Sequence, residues 1–266
     1  LFEKGTILML GRKDFIVHTE DEIKRIRKAA QLTAGVREQL PRLARPGMST
    51  YELDQIAGQL IADTGGKSAF LGYRGFPANI CISVNDEVVH GIGRPDHILQ
   101  PDDIVSVDIG VEVDGACGDT ATTFSLSQSP SEDTIRLLKY TEAALMEGIS
   151  KAIAGNYIRD ISAAVEKVAK KAKLGVVREY VGHGCGIKLH EPPEVPNFVC
   201  SYRGPRLKPG MVLAIEPMLN LGSYKVYTEA DHWTVRTLDG KWSAHFEHMI
   251  LITDNEPEIL TWPKTT

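Results

Sequence analysis

Cysteine is scarce and scattered in this chain. The four thiols, Cys81, Cys117, Cys185 and Cys200, form no CxxC pair and no dense framework, which argues against a disulfide-stapled scaffold and for free thiols in a reducing compartment. No apolar run approaches the roughly 18 residues that a membrane helix needs. Basic residues are outnumbered, 30 Lys and Arg against 35 Asp and Glu for a net charge of −5, so composition gives no cationic field for tight nucleic-acid binding. The first twelve residues lack the basic flank, apolar centre and cleavage site of a secretory signal. Low-complexity segments and linkers are missing too. What is present is ordinary globular usage, 42% hydrophobic and 24% charged over 266 residues, enough to bury a substantial core. A cytoplasmic enzyme is the expectation.

Helix punctuation is clear. Thr19 followed by Glu22 reads as a capping box ahead of Ile23, Ile26, Ala30 and Val36. Pro46-Gly47 interrupts the chain, and Ser49 with Glu52 forms a second box before Leu53, Ile56, Ala57, Leu60 and Ile61. Strands are expected at 80–84, 104–111 and 119–126. The second half repeats the order: Ser129 and Glu132 cap a helix through Ile135, Leu138 and Leu145, Gly155 ends it, and Ile161, Val165 and Val168 carry another. Strands follow at 176–180, 211–215 and 245–253. Gly47 and Gly155 occupy equivalent places, which suggests a diverged duplication of a helix–helix–strand unit. The fold class is α+β, with helices on one side of a curved antiparallel sheet. Residues 1–18 are read as an N-terminal extension and 19–266 as a single catalytic domain.

The most informative stretch runs from Val105 to Thr120. Val105, Val107, Ile109 and Val111 alternate and line one face of a strand, so Asp108 points to the other. Asp114-Gly115 signals a two-residue hairpin turn. That turn sets Gly110 opposite Asp119 and leaves Asp108 and Asp119 diagonal neighbours on one face, roughly 7–8 Å apart at the backbone. Such a pair can be two solvent-facing acids, a general acid/base pair, or half of a metal site.

Other residues decide among these readings. His183 lies in Gly182-His183-Gly184, where glycines let the backbone turn or approach a ligand closely. Glu216 ends the apolar run from Met211 and is followed by Pro217; Glu247 sits similarly within 245–252. Either acid alone could form a buried salt bridge. With Asp108, Asp119 and His183 the set makes a metal site, because acids at the ends of buried strands are costly unless paired or cation-bound. Four carboxylates match the charge of two divalent cations, and four oxygens with one imidazole suit Mn, Fe(II), Co or Zn. Two such ions can share a water, lower its pKa and polarise a carbonyl, which is machinery for hydrolysis.

Asp108 and Asp119 eleven apart, His183 in Gly-His-Gly, Glu216 in Ile-Glu-Pro-Met and Glu247 in Phe-Glu-His resemble the five metal ligands of the methionine aminopeptidase/prolidase superfamily, with the spacing of its type I methionine aminopeptidases. The similarity runs from about Thr19 to Thr261. It implies the pita-bread fold, two pseudo-symmetric halves around the sheet. It also implies two divalent ions per chain (Co, Mn, Fe(II), Zn or Ni), held on one side by Asp108, on the other by His183 and Glu216, and bridged by Asp119 and Glu247. Glu216 is then also the proton-handling group on the bridging hydroxide. His90 matches the residue that contacts the nitrogen beside the scissile bond, and His190 the one that steadies the developing oxyanion. His18, His97, His232, His245 and His248 receive no role.

The resemblance places Tyr73, Phe76, Cys81 and Trp233 in an apolar pocket for the first side chain, where rings and sulfur suit a thioether. Phe70 and Leu189 stand where Cys and Phe are commoner, which alters the pocket mouth. The implied activity is removal of N-terminal methionine before a small second residue. The implied partners are peptide and nascent-protein N-termini, with the ribosome a candidate, the chain monomeric, and no nucleic acid or membrane engaged. Two alternatives stand beside it. An aminopeptidase P or prolidase normally carries a further N-terminal domain, and some relatives bind peptides, histones or RNA without catalysis after losing ligands that this chain retains. The 33 residues from His183 to Glu216 leave no room for the insertion of type II enzymes.

Overall fold

The computed structural model describes residues 15–262, so most of the expected extension, 1–14, lies outside the described residues. Both capping boxes form. The Thr19 hydroxyl accepts the Glu22 N–H at 3.3 Å while the Glu22 carboxylate accepts the Thr19 N–H at 2.8 Å, opening α1 (Glu20–Arg37). A single turn, α2 (Leu40–Leu43), precedes α3 (Thr50–Asp63), which Ser49 and Glu52 open in the same way. The expected stripes face inward: Ile23, Ile26, Ala30 and Val36 in α1 and Leu53, Ala57 and Ile61 in α3 are buried, with Ile56 and Leu60 half-buried.

Short strands β1 (Lys67–Ser68), β2 (Cys81–Val84) and β3 (Glu87–Val89) lead into the long hairpin β4 (Ile104–Val113) and β5 (Ala116–Ser125). The second half begins with α4 (Glu132–Ile149) and α5 (Ile158–Lys171). It continues through β6 (Gly175–Val176), β7 (Gly182–Gly184), β8 (Glu191–Val195), β9 (Val212–Ile215), β10 (Met218–Asn220), β11 (Val226–Thr228), β12 (Val235–Thr237), β13 (Ser243–His245), β14 (His248–Leu251) and β15 (Glu258–Ile259). The expected sheet is realised, among the described residues, as four antiparallel sheets. The two that matter most are β1 and β2 on one edge of β4 with β5 on the other, and β15-β14-β9-β7-β8.

The duplication is visible in detail. Helices α1 and α4 both have 18 residues, and α3 and α5 both have 14. Gly47 and Gly155 both adopt positive φ, 86° and 95°, and donate to Leu99 O and Leu207 O at 2.9 and 3.0 Å. The residue two beyond each bridges antiparallel to Ile98 and Arg206 respectively. Strands β2-β4-β5 in one half correspond to β7-β9-β14 in the other. Each half has its own core, and α1 lies over the seam, packing Ile23, Ile26, Ala29 and Ala30 on Ala116, Cys185, Val212, Ala214 and Met249.

Three sequence expectations need correction. Ser131, not Ser129, caps α4, accepting the Thr134 N–H at 3.1 Å; the helix therefore buries Leu137 and Leu145 and exposes Ile135. The strand expected over 176–180 is only Gly175–Val176, because the chain leaves β10 after a last bond from Val177 N–H to Met218 O at 3.1 Å. The single strand expected over 245–253 is two, broken at Phe246-Glu247 where the chain passes from β10 to β9.

Replacing a serine N-cap by alanine costs about 1 kcal/mol. Ser49→Ala and Ser131→Ala are each expected to lower stability by that amount in urea unfolding, and Ser129→Ala to leave the midpoint unchanged. A loss confined to Ser129→Ala would reverse the capping assignment.

Candidate metal centre

The hairpin forms with the register that its turn demands. Asp114 and Gly115 take φ of 52° and 67°, Gly110 pairs with Asp119, and Asp108 pairs with Ala121. Asp108 and Asp119 are thereby diagonal neighbours on one face. The other half supplies three groups. His183 sits mid-strand in β7 between β8 and β9. A Cβ at residue 182 would fall 2.3 Å from Ala214 O, and one at 184 would fall 2.4 Å from Pro192 O, so both flanking positions must be glycine for the sheet to close around the imidazole. Glu216 leaves the end of β9. Glu247 precedes β14 and is held against β5: its N–H donates to Ala121 O at 3.0 Å, and its carbonyl accepts from Thr120 Oγ1 at 2.7 Å.

The side chains converge. Ligand atoms of Asp108, Asp119 and Glu247 lie within 4.8 Å of one another, as do those of His183, Glu216 and Glu247. His183 Nε2 is 3.4 Å from Glu216 Oε1 and 3.8 Å from Asp119 Oδ2. Its Nδ1 stands 2.8 Å from Gly184 O, which assigns the proton to Nδ1 and leaves the Nε2 lone pair facing the acids.

Asp108 Oδ1, Asp119 Oδ1 and Glu247 Oε1 are buried without a hydrogen-bond partner. Burial pushes Asp108 and Glu216 up to about 7; for Asp108 the Glu216 charge adds to this, partly offset by His245, and for Glu216 the His183 imidazole opposes it. Asp119 and Glu247 are pushed well above the carboxylate range by burial and then by the other acids. Orphaned carboxylate oxygens at such density are costly unless a cation takes them. Four carboxylates and one inward nitrogen fit bound divalent metal, and the two triads share Glu247. Cys185 also lies within 4.8 Å of Asp119 and His183; burial drives its thiol well up, so it stays protonated.

Two aromatic walls flank the acids. On one, Phe76 meets Trp233 edge-on at 5.1 Å, and His90 meets Trp233 at 6.4 Å and Tyr180 at 5.3 Å. On the other, Tyr73 stacks on His190 at 5.3 Å, and His190 lies 4.1 Å from the His183 ring. Tyr73, Phe76, Cys81 and Trp233 belong to one apolar cluster with Phe70, Leu189, Ala78, Cys117 and Ile92, so the proposed pocket residues are brought together and both atypical residues line the same cluster. His90 holds a left-handed φ of 59°. Burial of its imidazole lowers its pKa to about 4, so the ring is neutral near pH 7.

Sequence reasoning missed Tyr180, which faces His90, and His245, whose Nε2 is 3.5 Å from Glu216 Oε2. Tyr180 lies three residues before His183, a proximity that could have flagged it; His245 offered only its place two residues before Glu247.

Comparison with known proteins gives a consistent picture. Residues 24–254 match the model of metallopeptidase family M24. The chain is 47% identical over 246 residues to methionine aminopeptidase 1 of Bacillus subtilis, covering 92% of this chain and 98% of that protein. Its structure is similar to that of methionine aminopeptidase from Rickettsia prowazekii, with TM-score 0.90 and 35% identity over 94% of this chain and all of the other. The prolidase from Pyrococcus furiosus shares the fold at TM-score 0.75 and 21% identity, and 66% of its chain is covered.

The raised acid pKa values set a pH test. In the metal-free protein Asp108 and Glu216 hold protons that the unfolded chain has released, so their contribution to stability is full below about pH 4 and is lost as pH rises through about 7. An ion that displaces those protons binds more tightly as pH rises. The gain in Tm on adding saturating Mn(II) to chelator-treated protein is expected to be larger at pH 8 than at pH 5.5. A gain independent of pH would mean that these acids do not hold the ion.

Proposed function

The chain belongs to metallopeptidase family M24, and from that premise we propose that it is a methionine aminopeptidase of type I, a metal-dependent hydrolase that removes N-terminal methionine when the second residue is small. The observation that carries this reading is the convergence of four carboxylates, two buried and two half-buried, and one inward imidazole beside an uncharged aromatic pocket.

Asp108, Asp119, His183, Glu216 and Glu247 would hold two divalent ions. Bound there, the ions would activate water and polarise the first peptide carbonyl. The chain's own groups do the rest. Glu216, 3.4 Å from His183 Nε2, is the group placed to take and return a proton. His90 is neutral and donates toward the nitrogen beside the scissile bond. His190, stacked on Tyr73, donates toward the carbonyl oxygen as its charge grows. The first side chain enters the pocket of Tyr73, Phe76, Cys81 and Trp233. That cluster holds no fixed charge, so Lys or Asp would lose hydration without a partner. Peptide and nascent-chain N-termini are the substrates, the ribosome is a candidate partner, and the enzyme is assigned to the cytoplasm as a monomer. No described helix is long and apolar enough to cross a membrane.

Two experiments test this. Asp119→Ala and Glu247→Ala should each abolish turnover and paired metal binding, whereas His90→Ala should retain metal and lose roughly ten- to a thousandfold in kcat/KM. Emptying of the site by His90→Ala would overturn its assignment. In a comparison of Met-Ala-Ser, Met-Lys-Ser, Leu-Ala-Ser and Ala-Pro-Ser, the first should be cut best, and Leu should fall behind Met by ~10–200-fold. Preference for Ala-Pro-Ser would move the chain to Xaa-Pro peptidases, and equal rates would remove the specificity claim.

A further inference from the structure

His245 is buried, with 2% of its surface exposed, and its place is fixed from the other half of the molecule. Strand β13 sets it opposite Met218, two residues beyond Glu216. Thr123 on β5 clamps its backbone from both sides: the His245 N–H donates to Thr123 Oγ1 at 2.9 Å, and the Thr123 hydroxyl donates to His245 O at 2.7 Å. Thr123 Oγ1 is also 2.8 Å from Ser106 Oγ on β4. The imidazole therefore hangs from the hairpin that carries Asp108 and Asp119, yet it reaches the acid of the opposite half.

The Glu216 carboxylate lies between two imidazoles. Oε1 is 3.4 Å from His183 Nε2, and Oε2 is 3.5 Å from His245 Nε2. That His245 nitrogen has no hydrogen-bond partner of its own, and a buried N–H left unpaired is costly. We infer that His245 is a positioning residue, whose Nε2–H holds Glu216 Oε2 and so keeps Oε1 on the side of His183. A glutamate free to rotate would lose that division between its two oxygens. Partners of this kind behind a metal-binding carboxylate fix its orientation, and their loss typically costs ~10–100-fold in metal affinity or activity. The inference rests on the proposed metal dependence.

The test uses reach. A Gln amide at position 245 extends to where Nε2 now sits, whereas an Asn amide reaches only the Nδ1 position and Met offers no donor. Mn(II) binding to the chelator-treated full chain would be followed by calorimetry for wild type, His245→Gln, His245→Asn and His245→Met, with peptide kcat and KM measured at saturating Mn(II). Expected are ~10–100-fold weaker binding at one site in the Asn and Met variants, a matching fall in kcat with KM retained, and recovery in the Gln variant. Wild-type affinity in the Asn and Met variants would overturn the inference, as would equal losses in all three or a loss confined to KM. Because Asn and Gln are both polar, a folding defect in the Met variant leaves the comparison intact. Absence of Mn(II) binding by the wild type would instead overturn the metal reading itself.

Discussion

Repulsion among four carboxylates packed into one site is the constraint around which this molecule is organised. Burial alone opposes their ionisation, and the neighbouring acids add to the cost at Asp119 and Glu247. Against this the protein supplies Arg37, whose charge favours ionised Glu247 and whose guanidinium donates to Thr120 Oγ1 at 2.8 Å. One guanidinium cannot balance four acids, so the local structure is held by backbone. The long β4–β5 hairpin fixes two acids rigidly, and β9 and β14 deliver the other two at the junction of strand and loop. The seam bonds from Thr120, Ala121 and Thr123 to residues 245–247 keep the two pairs facing one another despite their repulsion.

The flanking walls follow a different logic. They carry no formal charge: Phe76, Trp233, Tyr180 and Tyr73 surround two imidazoles, and His90 is kept neutral. The low polarity that excludes a charged side chain from the apolar cluster is the same property that leaves His90 able to donate without being a cation. Phe70 packs over Gly110, where a Cβ would stand 2.5 Å from its ring, so this atypical residue is accommodated by a glycine on the strand that also carries Asp108.

Much of this was legible from local signals. Asp114-Gly115 gave the hairpin register, hence the facing of Asp108 and Asp119, because a two-residue turn leaves one pairing. Thr19/Glu22 and Ser49/Glu52 located the first helices, since a capping box is satisfied within four residues. At α4 the spacing from Ser129 to Glu132 pointed to the wrong serine, since Ser131 makes the cap with Thr134 instead, and the apolar stripe slipped with it. The 245–253 segment read as one strand because no glycine or proline interrupts it ahead of the apolar run 249–252; what divides it is a tertiary demand, the turn of Glu247 toward β5. His245 and Tyr180 matter through contacts across the fold, which periodicity does not carry. The pocket residues were named from family resemblance, since an aromatic in a loop looks alike whether it lines a pocket or packs a core.

The internal duplication has a practical reading. The halves meet in sequence at the short stretch 126–131 between β5 and α4, where Gln128 and Ser129 are exposed. A crossover there between this chain and a relative of the same scaffold would exchange intact helices and strands, each with its own core. It would also draw two of the four acids from each parent. Such a chimaera could fold on the strength of its separate cores and still fail to assemble the cage. Compatibility of recombined halves would therefore be governed by the few hydroxyl and carbonyl contacts along the seam more than by overall sequence identity.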